Sequence, residues 1–140
     1  MVPSTCDVLL VEDSFDDAFF LSRAWSAQCD GYSIFHVSDG EKAKQFLLGE
    51  GMYASVTGRA LPRCIICDLK MPYCDGLQLT RWVKQSSQFR GIAVIVLSSS
   101  PLDSDVAAAF EAGAAGYFVK PKSSAGYLDL VRELEVYWKQ

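Results

Sequence analysis

The sequence predicts a single doubly wound α/β domain, a five-stranded parallel sheet covered by helices on both faces. Three observations predict it. Short apolar runs alternate five times with segments of helical periodicity. The runs at 64–67 (Cys-Ile-Ile-Cys) and 92–97 (Ile-Ala-Val-Ile-Val-Leu) are continuously apolar, as strands buried on both faces are. The runs then stop at acids, hydroxyls or a lysine, and the carboxyl edge of an open α/β sheet is where ligands bind.

Asp7 to Val11 is the first predicted strand, and it stops at Glu12-Asp13. Ser14 can cap a helix, with Asp16 and Asp17 in the first turn, where the helix dipole favours negative charge. Ala18, Leu21, Ala24 and Trp25 recur at helical spacing, Phe19 and Phe20 widen the stripe, and Asp30-Gly31 breaks the helix. Tyr32 to Val37 has β character, and Ser38-Asp39-Gly40 is a turn. Glu41 to Leu48 reads as a helix with Ala43, Phe46 and Leu47 on one face. Gly49 to Arg63 is irregular, longer than such a domain needs, and carries no legible chemistry.

Cys64 to Asp68 is the third strand, followed by a Met71-Pro72 turn and Asp75-Gly76. Gly76 to Val83 reads as a helix through Leu77, Leu79, Trp82 and Val83. Ile92 to Leu97 is the strongest strand and runs into Ser98-Ser99-Ser100-Pro101. Asp103 to Ala112 is the fourth helix, with Asp103 or Ser104 near its cap and Gly113 past its end. Gly116 to Val119 is a short strand ending in Lys120-Pro121. Ser123 to Trp138 is the fifth helix, its stripe formed by Tyr127, Leu128, Val131, Leu134 and Trp138.

Bulk properties narrow the function. The 140 residues suffice for one core, and half are apolar, so the chain is globular. A net charge of −4 argues against nucleic acid as a direct partner. No apolar run approaches the ~20 residues that span a bilayer, and Met1 to Asp7 does not read as a signal peptide. The expectation is a single cytoplasmic domain with nothing appended that could act as an output module. Five cysteines are an odd count and no disulfide framework. Cys64 and Cys67 lie three apart in a strand and so face opposite sides of the sheet, which suits buried apolar packing better than zinc or redox work.

The strand ends gather Glu12, Asp13, Asp68, Ser98 and Lys120 on one edge. Three crowded carboxylates repel unless a cation intervenes. A hard divalent ion with few protein ligands and room for substrate oxygens is magnesium rather than calcium. An ammonium, a hydroxyl and a metal around one carboxylate suit a phosphoryl group, with Asp68 as the nucleophile that becomes an aspartyl phosphate. Asp13 and Glu12 would hold the metal, Glu12 through water.

Val-Glu-Asp-Ser after strand one, Asp-Leu-Lys-Met-Pro-Tyr-Cys-Asp-Gly after strand three, Leu-Ser-Ser after strand four and Tyr-Phe-Val-Lys-Pro after strand five resemble the response-regulator receiver domain of two-component signalling. The resemblance covers essentially the whole chain, with all four motifs in order. It implies the flavodoxin-like strand order 2-1-3-4-5. It implies Asp68 as phosphoacceptor, with Glu12 and Asp13 as the acidic pair and Asp13 the direct ligand of Mg2+ (Mn2+ a possible substitute). The Lys70 backbone carbonyl completes the metal set. It makes Ser98 the switch hydroxyl, Ser99 the residue whose N–H faces the phosphoryl group, Lys120 the invariant lysine, and Tyr117 the aromatic switch. It also implies a cis peptide before Pro121. Glu12 stands where Asp is commoner, Ser98 where Thr is commoner, and Lys70 puts a long cation beside the site. The start, the long loop after helix two and Tyr137-Trp138 resemble stand-alone receivers partnered with bacterial phytochrome-type histidine kinases. The helix-four, strand-five, helix-five face, with Ala107, Ala108, Phe110, Leu128 and Val131, is the expected partner or homodimer surface.

Plainer readings stand beside these. Glu12 and Asp13 can simply open a helix, Asp68 can be a turn residue, Lys120 a solvated strand end and Tyr117 core. His36, the only histidine, reads as structural and leaves no Ser-His-Asp triad. The tryptophans read as packing residues, although Tyr137 and Trp138 can instead face a partner. An aspartyl-phosphate phosphatase wants a second Asp two residues past the nucleophile, where this chain has Lys70. A receiver-like module that is never phosphorylated would be signalled by loss of an acid or of the lysine, and none is lost.

Overall fold

The computed structural model describes residues 6–29, 31–54 and 61–139; the N-terminal stretch before Cys6, Asp30 of the expected helix break and positions 55–60 of the long loop lie outside them. The strands are β1 (Val8–Val11), β2 (Ile34–Val37), β3 (Cys64–Cys67), β4 (Ala93–Ser98) and β5 (Gly116–Val119). All pair in parallel, in the order β2-β1-β3-β4-β5, as the resemblance implied. The α-helices are α1 (Phe15–Gln28), α2 (Gly40–Leu48), α3 (Gly76–Gln85), α4 (Asp103–Ala112) and α5 (Ser124–Trp138), with a 3-10 turn at Gly51–Tyr53. Strand β2 begins two residues later than Tyr32, and β4 extends through Ser98.

Alternation along each strand sorts side chains into two cores. Leu9, Val11, Ile65, Cys67, Val94 and Val96 face α2, α3 and α4. Val8, Leu10, Cys64, Ile66, Ile95 and Leu97 face α1 and α5. Cys64 and Cys67 therefore lie in different cores, and burial pushes both thiols up to about 12. They stay protonated at neutral pH and pack as small apolar groups.

Side-chain caps start four of the helices. Ser14, Asp39, Asp75 and Ser123 each accept the N–H three residues on, and Asp75 forms a full capping box with Gln78. Helix α4 differs from expectation. Neither Asp103 nor Ser104 caps it; Leu102 occupies the cap, and its N–H donates to Ser100 Oγ instead. The acids there sit inside the first turn, where they meet the dipole rather than the orphan donors.

The apolar stripe of α1 is also narrower than it reads. Phe19 and Phe20 are exposed, because only Ala18, Leu21, Ala24 and Trp25 point at the sheet. On α5, Val131 is fully buried, so it belongs to the core and not to an outer face. Trp138 is buried between Trp25 and Tyr32, and the Tyr137 ring packs edge-on against Phe118, so neither is presented to a partner. The Trp138 indole N–H has no hydrogen-bond partner among the described residues. Trp138→Ala is therefore expected to cost about 3–5 kcal/mol. Trp138→Phe loses area but also removes a buried orphan donor worth about 1–3 kcal/mol. Urea unfolding should place it much nearer wild type than the alanine variant.

Candidate functional site

The sheet ladder runs one residue past three strands and fixes the site backbone there. Glu12 N–H donates to Val37 O at 3.0 Å, Asp68 N–H to Val11 O at 3.1 Å, and Lys120 N–H to Ser98 O at 2.8 Å. His36, on the edge strand, bonds the Glu12 carbonyl through Nε2 at 2.7 Å, which requires the Nε2–H tautomer. Phe15 packs edge-on against its ring. The single histidine thus clamps the backbone of the acidic pair and takes no part in acid–base chemistry.

Lys120 Nζ lies at the centre. It donates to Glu12 Oε1 at 2.8 Å, Asp17 Oδ2 at 2.8 Å and Asp68 Oδ2 at 2.9 Å, so its three protons have three carboxylate acceptors. The lysine and glutamate side chains are 10% and 3% exposed. Burial alone would lower the ammonium pKa; its hydrogen bonds to Asp17, Asp68 and Glu12 outweigh that, and the net shift is upward. Burial, reinforced by the Asp68 charge, pushes the Glu12 carboxyl up to about 7 despite its lysine bond. The site is therefore short of positive charge.

Asp17 is the residue the sequence reading passed over. It appeared as a first-turn helix acid, yet its side chain reaches Lys120 across 103 positions of chain. Its place in the first turn of α1, close in sequence to the Glu12-Asp13 pair, is the sequence signal that could have found it.

Glu12, Asp13 and Asp68 each bring a carboxylate oxygen within 4.8 Å of the others. Three hard oxygen donors that close, one buried and short of countercharge, fit a divalent cation. Asp13 is exposed and makes no ion pair with Lys120, so its oxygens remain available. Lys70 is exposed beside it, and a cleft lined by Asp13, Lys70, Met71, Asp75 and Asp105 opens over this edge.

Ser98 is buried, and its Oγ accepts the Ser100 N–H at 3.1 Å; Ser99 is exposed. Tyr117 is half-buried against the α3/α4 core, with its hydroxyl donating to Ser100 O at 2.7 Å. It is thus neither plain core nor free surface. The peptide before Pro121 is trans, contrary to expectation. An X–Pro bond favours trans by about 0.5–1 kcal/mol. Here the Lys120 ammonium reaches all three carboxylates with the bond in that form.

Comparison with known proteins agrees with this geometry. The response regulator receiver domain family matches residues 8–132. The chain is 34% identical over 132 residues to the probable methanogenesis regulatory protein FilR2 of Methanothrix harundinacea, covering 94% of this chain and 82% of that protein. The phosphorylated cyanobacterial phytochrome response regulator RcpA superposes with a TM-score of 0.83 at 27% identity, covering 94% of this chain and 91% of that one. The Mn2+-bound form of response regulator Rcp1 superposes with a TM-score of 0.81 at 28% identity, covering 97% and 94%. The Rcp1 sequence is that of Synechocystis sp..

The family match makes this a signalling receiver rather than a classical enzyme, and the strand-end carboxylates and lysine fit that class. The chain belongs to the response regulator receiver domain family of two-component signalling.

Proposed function

We propose that Asp68 accepts a phosphoryl group from a phosphohistidine on a sensor histidine kinase, and that the new charge resets the α4-β5-α5 face for a partner. The observation that carries this is Lys120 Nζ at 2.9 Å from Asp68 Oδ2, in a cluster otherwise made of acids. Asp68 Oδ2 is held by the ammonium, so the second carboxylate oxygen is the one left to attack phosphorus. The bond to the histidine nitrogen breaks as the acyl phosphate forms. Glu12, Asp13, Asp68 and the Lys70 carbonyl would hold Mg2+, which supplies countercharge for the phosphoryl oxygens. Lys120 gives a second cation on the buried side, and the Ser99 N–H and Ser98 hydroxyl face the same oxygens. Ser98 then moves inward and Tyr117 follows, while Pro121 shapes the loop after Lys120. RcpA is a phosphorylated phytochrome response regulator and Rcp1 binds Mn2+, which supports a phytochrome-type kinase as donor and Mg2+ or Mn2+ as the ion.

The reading extends to a single cytoplasmic receiver unit. Ala107 and Phe110 are exposed on α4, where a homodimer contact would form.

Intact mass after incubation with acetyl phosphate tests the proposal. One phosphoryl group should add to wild type in Mg2+, none in EDTA, and none to Asp68→Asn in either. Incorporation into Asp68→Asn would move the acceptor elsewhere.

A further inference from the structure

Ser100 is the most heavily committed residue outside the acid cluster. Its N–H donates to Ser98 Oγ at the end of β4. Its carbonyl accepts the Tyr117 hydroxyl of β5. Its own hydroxyl donates to Asp105 Oδ2 on α4 and accepts the Leu102 N–H. Three elements of the switch face therefore meet at one residue. Both residues assigned to the switch, Ser98 and Tyr117, are bonded to its backbone. What holds Ser100 against them is a carboxylate acceptor, and hydrogen bonds to charged groups are roughly twice as strong as neutral ones.

We propose that Asp105 is a positioning residue for the phosphorylation switch: through Ser100 it holds the Ser98 hydroxyl and the Tyr117 ring in the resting arrangement. This rests on the assignment of Ser98 and Tyr117 to the switch above. For Ser98 to turn to a phosphoryl group it must release the Ser100 N–H, and for Tyr117 to turn inward it must release the Ser100 carbonyl. Both releases require the 98–102 loop to shift. The Asp105 clasp fixes that loop to α4, so it opposes the phosphorylated state. A ligand that favours that state binds more weakly by the fraction of molecules the clasp holds back.

A plainer account makes Asp105 an acid in the first turn of α4, placed there for the dipole. It also lines the cleft with Asp13 and Lys70, so its charge alone would repel an anion at the site. Asp105→Asn separates these accounts, because the amide oxygen still accepts from Ser100 while the charge is gone.

The test is beryllofluoride affinity in Mg2+, read by titration, for wild type, Asp105→Asn, Asp105→Ala, Ser100→Ala and the double alanine variant. Asp105→Ala and Ser100→Ala should each bind about fivefold tighter, the size of one net hydrogen bond. The double variant should gain nothing further, and Asp105→Asn, whose neutral amide oxygen accepts a weaker bond, should fall between wild type and Asp105→Ala. Tighter binding by Asp105→Asn equal to that of Asp105→Ala overturns the proposal in favour of charge. Additive gains, or no gain in either alanine variant, overturn it as well.

Hydrogen exchange of the Ser100 amide in the resting protein gives a second readout that needs no phosphoryl chemistry. Its protection should fall about fivefold in both alanine variants and by less in Asp105→Asn, which keeps a weaker acceptor. Unchanged protection in the alanine variants overturns the clasp. Wild type that refuses beryllofluoride overturns the Asp68 reading instead, and the exchange result still decides the clasp.

Discussion

Lys120→Met is expected to lose about 3 kcal/mol or more of folding stability at pH 8, and distinctly less at pH 5. Among the described residues the ammonium is the one cation bonded to Glu12, Asp17 and Asp68, whose side chains are 3%, 33% and 12% exposed. Removing it leaves the buried Glu12 and the half-buried Asp68 uncompensated, with Asp13 beside them. Asp17 adds little to the loss, because it is a third exposed and solvent screens it. The pH dependence follows from Glu12. Its folded pKa, about 7, already lies above the ordinary 4.5, and loss of the lysine bond raises it further. A carboxyl with a raised folded pKa contributes stability that is fully present below 4.5 and is lost as pH rises through the folded value. At pH 5 the variant relieves the cluster by protonating Glu12 at little cost, whereas at pH 8 folding must take up that proton far above the ordinary carboxyl value of 4.5, and the relief costs more. Urea midpoints at both pH values, with and without Mg2+, measure this. Saturating Mg2+ should recover part of the loss at pH 8, since binding to the native state alone stabilises it. A loss equal at both pH values and untouched by metal would make Lys120 a packing residue.

This charge deficit explains what the sequence could and could not reveal. The strand ends were legible because a parallel sheet buries both faces of its strands. A continuous apolar run that stops at an acid therefore marks its own carboxyl edge. Glu12, Asp68, Ser98 and Lys120 follow from that rule alone. Asp17 did not, because an acid in a first helical turn has a local explanation, and that explanation hid a contact made 103 residues away. Ser100 was hidden in the same way. A Ser-Ser-Ser-Pro stretch reads as a turn, and only the fold brings Tyr117 and Asp105 to it. The expected cap of α4 at Asp103 or Ser104 failed because the helix starts one residue earlier, at a Leu102 cap that has no side-chain acceptor for the first-turn N–H groups. The partner-facing reading of Trp138 failed because helix periodicity gives the stripe but not how far the sheet extends beneath it. Contacts made by backbone register were predictable, and contacts made by side chains across elements were not.

Gly76→Ala is expected to slow phosphoryl incorporation by about 100-fold or more while leaving every chemical group of the site in place. Gly76 opens α3 directly after the Asp75 cap, and its N–H donates to Leu69 O at 2.9 Å. Its backbone is thereby pressed onto the segment that carries the acceptor. A Cβ at this position would overlap the Asp68 carbonyl oxygen and stand 3.0 Å from Leu69 Cα. Both are backbone atoms of a loop whose Asp68 N–H is tied to Val11 O, so neither can swing aside as a side-chain tip would. Relief requires α3 to lift or the 68–69 backbone to move. Overpacking of this kind costs about 1–3 kcal/mol and occasionally more. The opposite side is tight as well, since a Cβ added at Gly40 of α2 would stand only 2.5–2.8 Å from the Cys74 carbonyl oxygen, Cβ and Sγ, which leaves the same loop little room to retreat toward α2. A displacement of about 1 Å at the Asp68 carboxylate is enough to lose about 100-fold in transfer rate, because in-line attack depends on position. Acetyl phosphate labelling followed by mass, beside a urea unfolding curve, checks both halves. The expected result is a folded protein, less stable than wild type, that takes up phosphoryl groups at least 100-fold more slowly. Full labelling at the wild-type rate would mean that the α3 start yields without disturbing Asp68, and that the close approach of Gly76 serves packing alone.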